Sequence, residues 1–167
     1  AVGGFTICLP GGPGVRYLAV RRRMPLTAVM AVPAFQLSTS KARRALPESV
    51  PFQDAVFNVG RSSFLVASLL SGRTALLGVA MEDRLHQPHR APLVPGLEAA
   101  LRAAREAGAL GAALSGAGPS VIALAPEGET ETIRRIAGAL ADAFKEAGVE
   151  AKSYPVELAR KGAELIV

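Results

Sequence analysis

Apolar residues occur along this chain both in short unbroken runs and at helical spacing. The short runs predict strands over residues 5–9, 15–21, 26–32, 121–125 and 149–156. A turn-rich segment, 10–14, joins the first two strands, and Pro33 ends the third. The last stretch, 159–166, is expected to be a strand or extended.

Helical spacing is clearest over residues 52–70, where Val56, Val59, Phe64 and Leu69 predict a long helix. The pattern also predicts helices over residues 38–46, 75–81, 97–107 and 129–147. Residues 82–96, which contain three prolines, are expected to be irregular, so that Arg90 lies in a loop rather than on a helix.

The order of these elements predicts an α+β fold, an antiparallel sheet with helices on one face. The length, 167 residues, suits one domain or slightly more. A boundary is expected near residues 46–51. Residues 1–46 would then belong to a different, incomplete lobe, and residues 47–167 would form the main domain.

Composition narrows the function classes. Half of the residues are hydrophobic and 20% are charged, which favours a folded core over disorder. The net charge is +5, but the basic residues are scattered and no aromatic residues alternate with them, so nucleic acid is not an expected partner. No apolar run reaches membrane-spanning length and no signal peptide is visible, which favours a cytoplasmic protein without a membrane partner. Cys8 is the only cysteine and the two histidines lack acidic partners at ligand spacing, so no metal site is expected.

Small residues are concentrated in the segment Gly-Ala-Ala-Leu-Ser-Gly-Ala-Gly-Pro-Ser, residues 111–120, directly before the predicted strand 121–125. With few side chains in the way, successive backbone N–H groups can surround an anionic or polar group. A tight turn between a helix and a buried strand is the alternative interpretation.

Four segments together carry a resemblance to a known family. They are Ser-Thr-Ser-Lys-Ala-Arg at 38–43, the stretch 46–61, Ala-Met-Glu-Asp-Arg-Leu-His-Gln-Pro-His-Arg within 80–96, and the glycine loop 111–120. In this order they resemble the homoserine kinases, which belong to the GHMP small-molecule kinases. The resemblance covers essentially the whole chain.

The resemblance implies the fold of a ferredoxin-like C-terminal GHMP kinase lobe, preceded by the last strands of the N-terminal lobe. The family's phosphate-binding loop, with its Gly-Leu-Gly-Ser-Ser pattern, and its acidic magnesium ligand do not occur in these residues. The chain is therefore expected to be a C-terminal portion that has no kinase activity on its own. ATP and Mg²⁺ would be bound mainly by the other lobe.

The resemblance also implies the site. Arg43 and Arg90 correspond to arginines that bind the substrate carboxylate, a task that suits the guanidinium fork. Thr39 corresponds to a hydroxyl that orients the substrate. The active-site loop comprises Ser115, Gly116, Ala117, Gly118 and Ser120. No catalytic residue and no metal ligand is assigned. Two alternatives remain open: Arg43 is an exposed surface base, and Thr39 is a helix cap.

Other polar residues have two interpretations. Asn58 and Arg61 either point into the substrate pocket or have a buried structural role. Residues 82–84, Glu-Asp-Arg, favour a local ion-pair network that shapes their loop, where His86 and His89 pack or form hydrogen bonds.

The implied activity is ATP-dependent phosphorylation of the side-chain hydroxyl of L-homoserine to O-phospho-L-homoserine, a step of threonine biosynthesis. Two alternatives remain open, another GHMP small-molecule kinase and a non-catalytic ferredoxin-like module that binds an amino acid. Whether the protein is a homodimer is also left open.

Overall fold

The first two strands form a small antiparallel sheet of their own. A computed structural model describes residues 4–9, 11, 14–20, 23–159 and 162. In it, β1 (Phe5–Leu9) pairs with β2 (Arg16–Val20), as the sequence predicts. Most of the predicted tail at 159–166 lies outside the described residues.

The main sheet of the described chain has four strands, all antiparallel. Its order is β4 (Gly111–Leu114), β5 (Val121–Pro126), β3 (Leu26–Pro33) and β6 (Ala151–Glu157). Together with the helices between them, the strands follow the β-α-β-β-α-β order of a ferredoxin-like unit. The predicted α+β class with an antiparallel sheet is confirmed.

The helices between the strands range from one turn to twenty residues. They are α1 (Thr39–Arg44), α2 (Phe52–Ser71), α3 (Leu77–Ala80), α4 (Gln87–Arg90), α5 (Leu97–Glu106) and α6 (Thr130–Glu146). Short 3₁₀ turns, Thr74–Leu76 and Ala91–Leu93, precede α3 and follow α4. The described residues contain no helix with both the length and the apolar character needed to cross a membrane.

Two amphipathic helices, α5 and α6, cover one face of the sheet. Their buried residues recur every three or four positions and include Leu97 and Leu101 on α5 and Leu140 and Phe144 on α6. They meet strand residues such as Val29, which is fully buried.

A second apolar cluster lies on the opposite face, because side chains alternate along a strand. There Leu26 of β3 packs with Leu69 of α2 and Leu77 of α3. This cluster fixes α2 and α3 against the sheet, and both helices line the cleft described below.

The sheet joins both sides of the predicted boundary near residues 46–51. β3 precedes that boundary, yet it pairs with β5 and β6, which follow it. The division into residues 1–46 and 47–167 remains a prediction, but the four-stranded sheet needs residues from both parts.

Two predictions of local structure were wrong. Residues 111–114 are the edge strand β4 rather than the start of the glycine loop, and they pair with β5 from Gly111↔Leu124 to Leu114↔Val121. Residues 87–90 form one helical turn rather than part of an irregular loop, because Pro88 lies in the first turn, where its missing N–H is tolerated.

Candidate active-site cleft

A cleft of about 440 Å³ lies between α2, the segment 80–90 and the end of β4. This volume is in the range of small-molecule sites. The polar side chains that line it are Asn58, Arg61, Ser62, Glu82, Asp83, His86, Gln87 and Arg90. Ala113, Leu114 and Gly116 contribute the wall formed by β4 and the glycine loop.

Asp83 is the centre of the hydrogen bonds on one side of this cleft. Its Oδ1 accepts from Asn58 Nδ2 at 2.6 Å, from Leu85 N at 2.9 Å and from His86 Nδ1 at 3.1 Å. Its Oδ2 accepts from His86 N at 2.9 Å and from Gln87 N at 2.5 Å. The carboxylate thus satisfies the backbone N–H groups that begin α4.

These hydrogen bonds set the ionisation of Asp83. Burial alone raises the pKa of this carboxyl, but the N–H groups of Gln87, Asn58, Leu85 and His86 outweigh that effect and hold the pKa at about 2. The side chain is therefore a fixed anion at neutral pH, although only 13% of it is exposed.

Asn58 connects α2 to the segment that contains Asp83 through both polar atoms of its side-chain amide. Nδ2 donates to Asp83, and Oδ1 accepts from Arg84 N at 2.9 Å. Of its two predicted roles, the structural hydrogen-bonded one is observed, although the residue also lines the cleft.

Glu82 and Arg84 form ion pairs with α2 rather than with each other. Arg61 donates to Glu82 from Nε at 3.0 Å and from Nη2 at 2.8 Å, and Arg84 Nη1 donates to Asp54 at 3.2 Å. The guanidinium carbons of both arginines lie over the ring of Phe57, 4.3 and 4.0 Å from its centroid. The predicted ion-pair network exists, but its partners lie on another helix.

Arg90, at the end of α4, is buried, with 9% of its surface exposed. Nε donates to the carbonyl of Ala42 on α1 at 3.3 Å, and Nη1 donates to the carbonyl of Gly116 at 3.0 Å. A guanidinium has five N–H donors, so three remain after these two bonds. No carboxylate pairs with Arg90 in the described part of the chain. A buried cation facing only carbonyl groups is well suited to accept an anion.

The glycine loop is a closed turn that uses part of its own hydrogen-bonding capacity. Ser115 N donates to Ser120 O at 2.7 Å, and Gly118 N donates to Ser115 O at 3.0 Å. Gly116 and Gly118 have φ of 59° and 85°, the left-handed region that favours glycine. Within the described residues, the N–H groups of Gly116, Ala117 and Ser120 have no acceptor, so these three amides are the ones the loop can offer to a ligand.

Thr39 and Arg43 do not line the cleft. Both are exposed, and Ser38 rather than Thr39 caps α1, since its side chain accepts from Lys41 N at 3.2 Å. The backbone of α1 reaches Arg90 through Ala42, the residue before Arg43. The substrate-binding roles of Thr39 and Arg43 therefore stay predictions.

The sequence interpretation did not assign Gln87, and it placed Asp83 in a local ion-pair network rather than at the start of α4. Gln87 Oε1 accepts from Leu114 N at 2.7 Å, so α4 is tied to the strand that leads into the glycine loop. An acidic residue shortly before a helix is a recognisable capping signal, which would have indicated Asp83. No local pattern predicts the contact between Gln87 and Leu114.

No group of three or more histidine, cysteine or acidic side chains comes together as metal ligands within the residues that the structure describes. No step proposed below runs through a metal held by these residues.

Comparison with known proteins supports one family. Residues 65–146 match the family described as GHMP kinases, C terminal. A homoserine kinase of Persephonella marina is 40% identical over 163 residues, which are 98% of this chain and 53% of that protein. This chain contains a GHMP kinase C-terminal domain. It corresponds to the C-terminal portion of its homoserine kinase relatives and spans about half of their length.

Solved GHMP kinases share the fold described above. The crystal structure of homoserine kinase from Cytophaga hutchinsonii superposes with a TM-score of 0.88 at 31% identity, over 96% of this chain and 50% of that one. The mevalonate kinase of L. major, in complex with R-mevalonate, superposes with a TM-score of 0.67 over 93% of this chain and 50% of that one. At 21% identity, the second likeness concerns the fold alone.

Proposed function

We propose that this GHMP kinase chain forms the homoserine-binding half of a homoserine kinase, which transfers the γ-phosphoryl group of ATP to the side-chain hydroxyl of L-homoserine. Arg90 carries the proposal. Its buried guanidinium has three unused N–H donors and no carboxylate partner among the described residues. A bound α-carboxylate would supply the missing anion through two parallel hydrogen bonds.

The glycine loop supplies the second part of the proposal. Its free amides, Gly116 N, Ala117 N and Ser120 N, belong to the loop whose carbonyl at Gly116 accepts from Arg90. Amides in fixed positions can stabilise charge on a transferring phosphoryl group without reorganising. Phosphoryl transfer depends mainly on alignment and charge stabilisation, so no general base is assigned in this chain. Arg43 and Thr39 complete the proposed substrate contacts, and Mg²⁺ would be held outside these residues.

The test is a comparison of substrates in the full-length gene product that carries these residues. L-homoserine is expected to be phosphorylated and R-mevalonate not. L-homoserinamide, which lacks the carboxylate, is expected to lose about 10- to 100-fold in kcat/KM, the effect of a hydrogen bond to a charged group. In Arg90→Ala, the preference for the acid over the amide should fall to about two- to fivefold, the part that the exposed Arg43 would still supply. A preference that stays at its original size in Arg90→Ala would refute the assignment of this residue.

We also propose that the 167 residues alone do not transfer phosphate, because the family's phosphate-binding loop is not among them. An ATP-consumption assay with homoserine and the isolated chain tests this directly. Turnover at the rate of the full-length protein would contradict it.

A further inference from the structure

The one-turn helix α4 connects three separate parts of the molecule. Before it, Asp83 is bonded to Asn58 of α2. In it, Gln87 accepts from Leu114 N at the end of β4, and Arg90 donates to Gly116 in the glycine loop. Because Gln87 and Arg90 are three apart, they lie on the same side of the turn.

A helix of four residues has no stability of its own, because helix nucleation is unfavourable. Its position must therefore come from contacts with the rest of the protein. Asp83 provides such contacts at the start of α4, where its carboxylate accepts hydrogen bonds from the N–H groups of Leu85, His86 and Gln87.

We propose that Asn58 and Asp83 are a pair of positioning residues that fix α4, and that α4 in turn couples the arginine that grips the substrate to the geometry of the glycine loop. The substrate part of this inference rests on the proposed function. The coupling of Asn58 and Asp83 to Leu114 does not.

The geometry of the pair makes it testable by exchange of the two side chains. In Asp83→Asn, an NH₂ group must replace one carboxylate oxygen, and either orientation points it at N–H donors. In Asn58→Asp, two carboxylates face each other. In the double variant, the amide introduced at position 83 can donate to the carboxylate introduced at position 58, while its oxygen still accepts from His86 N and Gln87 N. Leu85 N still loses its acceptor, so the recovery is partial. The overall charge is that of the original protein.

The rate of hydrogen exchange at the backbone amide of Leu114 reports on its hydrogen bond to the Gln87 side chain, and it does not depend on catalysis. This N–H donates to the Gln87 side chain, and β4 is an edge strand of the described sheet. When exchange is followed by NMR in the full-length gene product, the Leu114 amide should exchange at least about tenfold faster in each single variant than in the original protein. The double variant should return to within about threefold of the original rate. Asp142→Asn, the same substitution at an exposed site on α6, serves as the control.

The same proteins are then assayed with homoserine. Each single variant should raise the KM for homoserine about tenfold, with the KM for ATP within about twofold, and the double variant should restore it. Should Asp83→Asn fail to fold, Asn58→Ala replaces it in both measurements. Unchanged exchange at Leu114 in folded single variants, or no recovery in the double variant, would overturn the proposal. Altered exchange in a protein that does not phosphorylate homoserine would leave the positioning pair intact and refute the proposed function instead.

Discussion

The Nη1 group of Arg90 donates a hydrogen bond to the carbonyl oxygen of Gly116 at 3.0 Å. This bond connects the buried guanidinium in the cleft to the glycine loop. The bond orients the guanidinium, and at the same time it holds a loop whose φ angles favour glycine. The orientation of the Arg90 guanidinium and the geometry of the glycine loop therefore depend on the same hydrogen bond.

Replacement of Arg90 by lysine should weaken homoserine binding nearly as much as replacement by alanine. Lysine keeps the charge, but its three N–H donors lie on one nitrogen, so it lacks the planar fork whose separate nitrogens reach Ala42 O, Gly116 O and a carboxylate. We expect the homoserine KM of the full-length gene product to rise about 10- to 100-fold in both variants, with the KM for ATP nearly unchanged. Arg102→Ala, at an exposed position of α5, is the control. A lysine variant with the original KM would show that charge alone is sufficient.

Replacement of Arg43 by alanine should have a smaller effect than replacement of Arg90. The Arg43 side chain is exposed, where water weakens its attraction to a carboxylate. We expect the homoserine KM to rise about two- to fivefold in steady-state assays, the effect of less than about 1 kcal/mol. An increase as large as that of Arg90→Ala would mean that Arg43 closes over the substrate when it binds.

Acid should remove the stabilising contribution of Asp83. The pKa of this carboxyl in the folded chain is about 2, below its ordinary value, so its contribution is complete above about pH 4 and is lost as the pH falls towards 2. The difference in the free energy of unfolding between the original chain and Asp83→Asn should therefore shrink by about 2 kcal/mol over this interval. Urea titrations between about pH 2 and 5 measure it. A difference that does not change with pH would contradict the low pKa.

Two glycine-to-alanine substitutions should have opposite effects on stability. A Cβ at Gly111 would lie 2.6 Å from Met81 Sδ and 3.0 Å from the carbonyl oxygen of Leu77, so we expect Gly111→Ala to cost about 1–3 kcal/mol. A Cβ at Gly138, in the interior of α6, meets nothing within 4 Å, and Gly138→Ala should stabilise by about 0.5–1 kcal/mol. Thermal unfolding of the two variants and of the original chain measures both shifts of Tm. Equal shifts of Tm would exclude close packing at Gly111.

The amphipathic helices were predictable because their signal lies within the element. On α5 and α6, residues such as Leu101 and Leu140 recur at helical spacing and are buried where that spacing predicts. The strand at 111–114, Gly-Ala-Ala-Leu, has no β-branched or aromatic residue, so its propensity gives no signal. It is a strand because β5 pairs with it.

The cleft was predictable only in part, for the same reason. Arg90 was indicated by the resemblance, but its partners Ala42 and Gly116 are far from it in sequence. The contact between Gln87 and Leu114 likewise depends on how α4 packs against β4. Such contacts between distant segments leave no periodicity in the chain.

The position of β3 in the sheet limits how far this chain can be shortened. The region that matches the family, residues 65–146, contains β4 and β5 but neither β3 nor β6. Expressed by itself, it would expose the β5 edge that β3 normally covers, and an open strand edge recruits other chains. A soluble minimal piece must therefore begin before Leu26 and extend beyond Glu157.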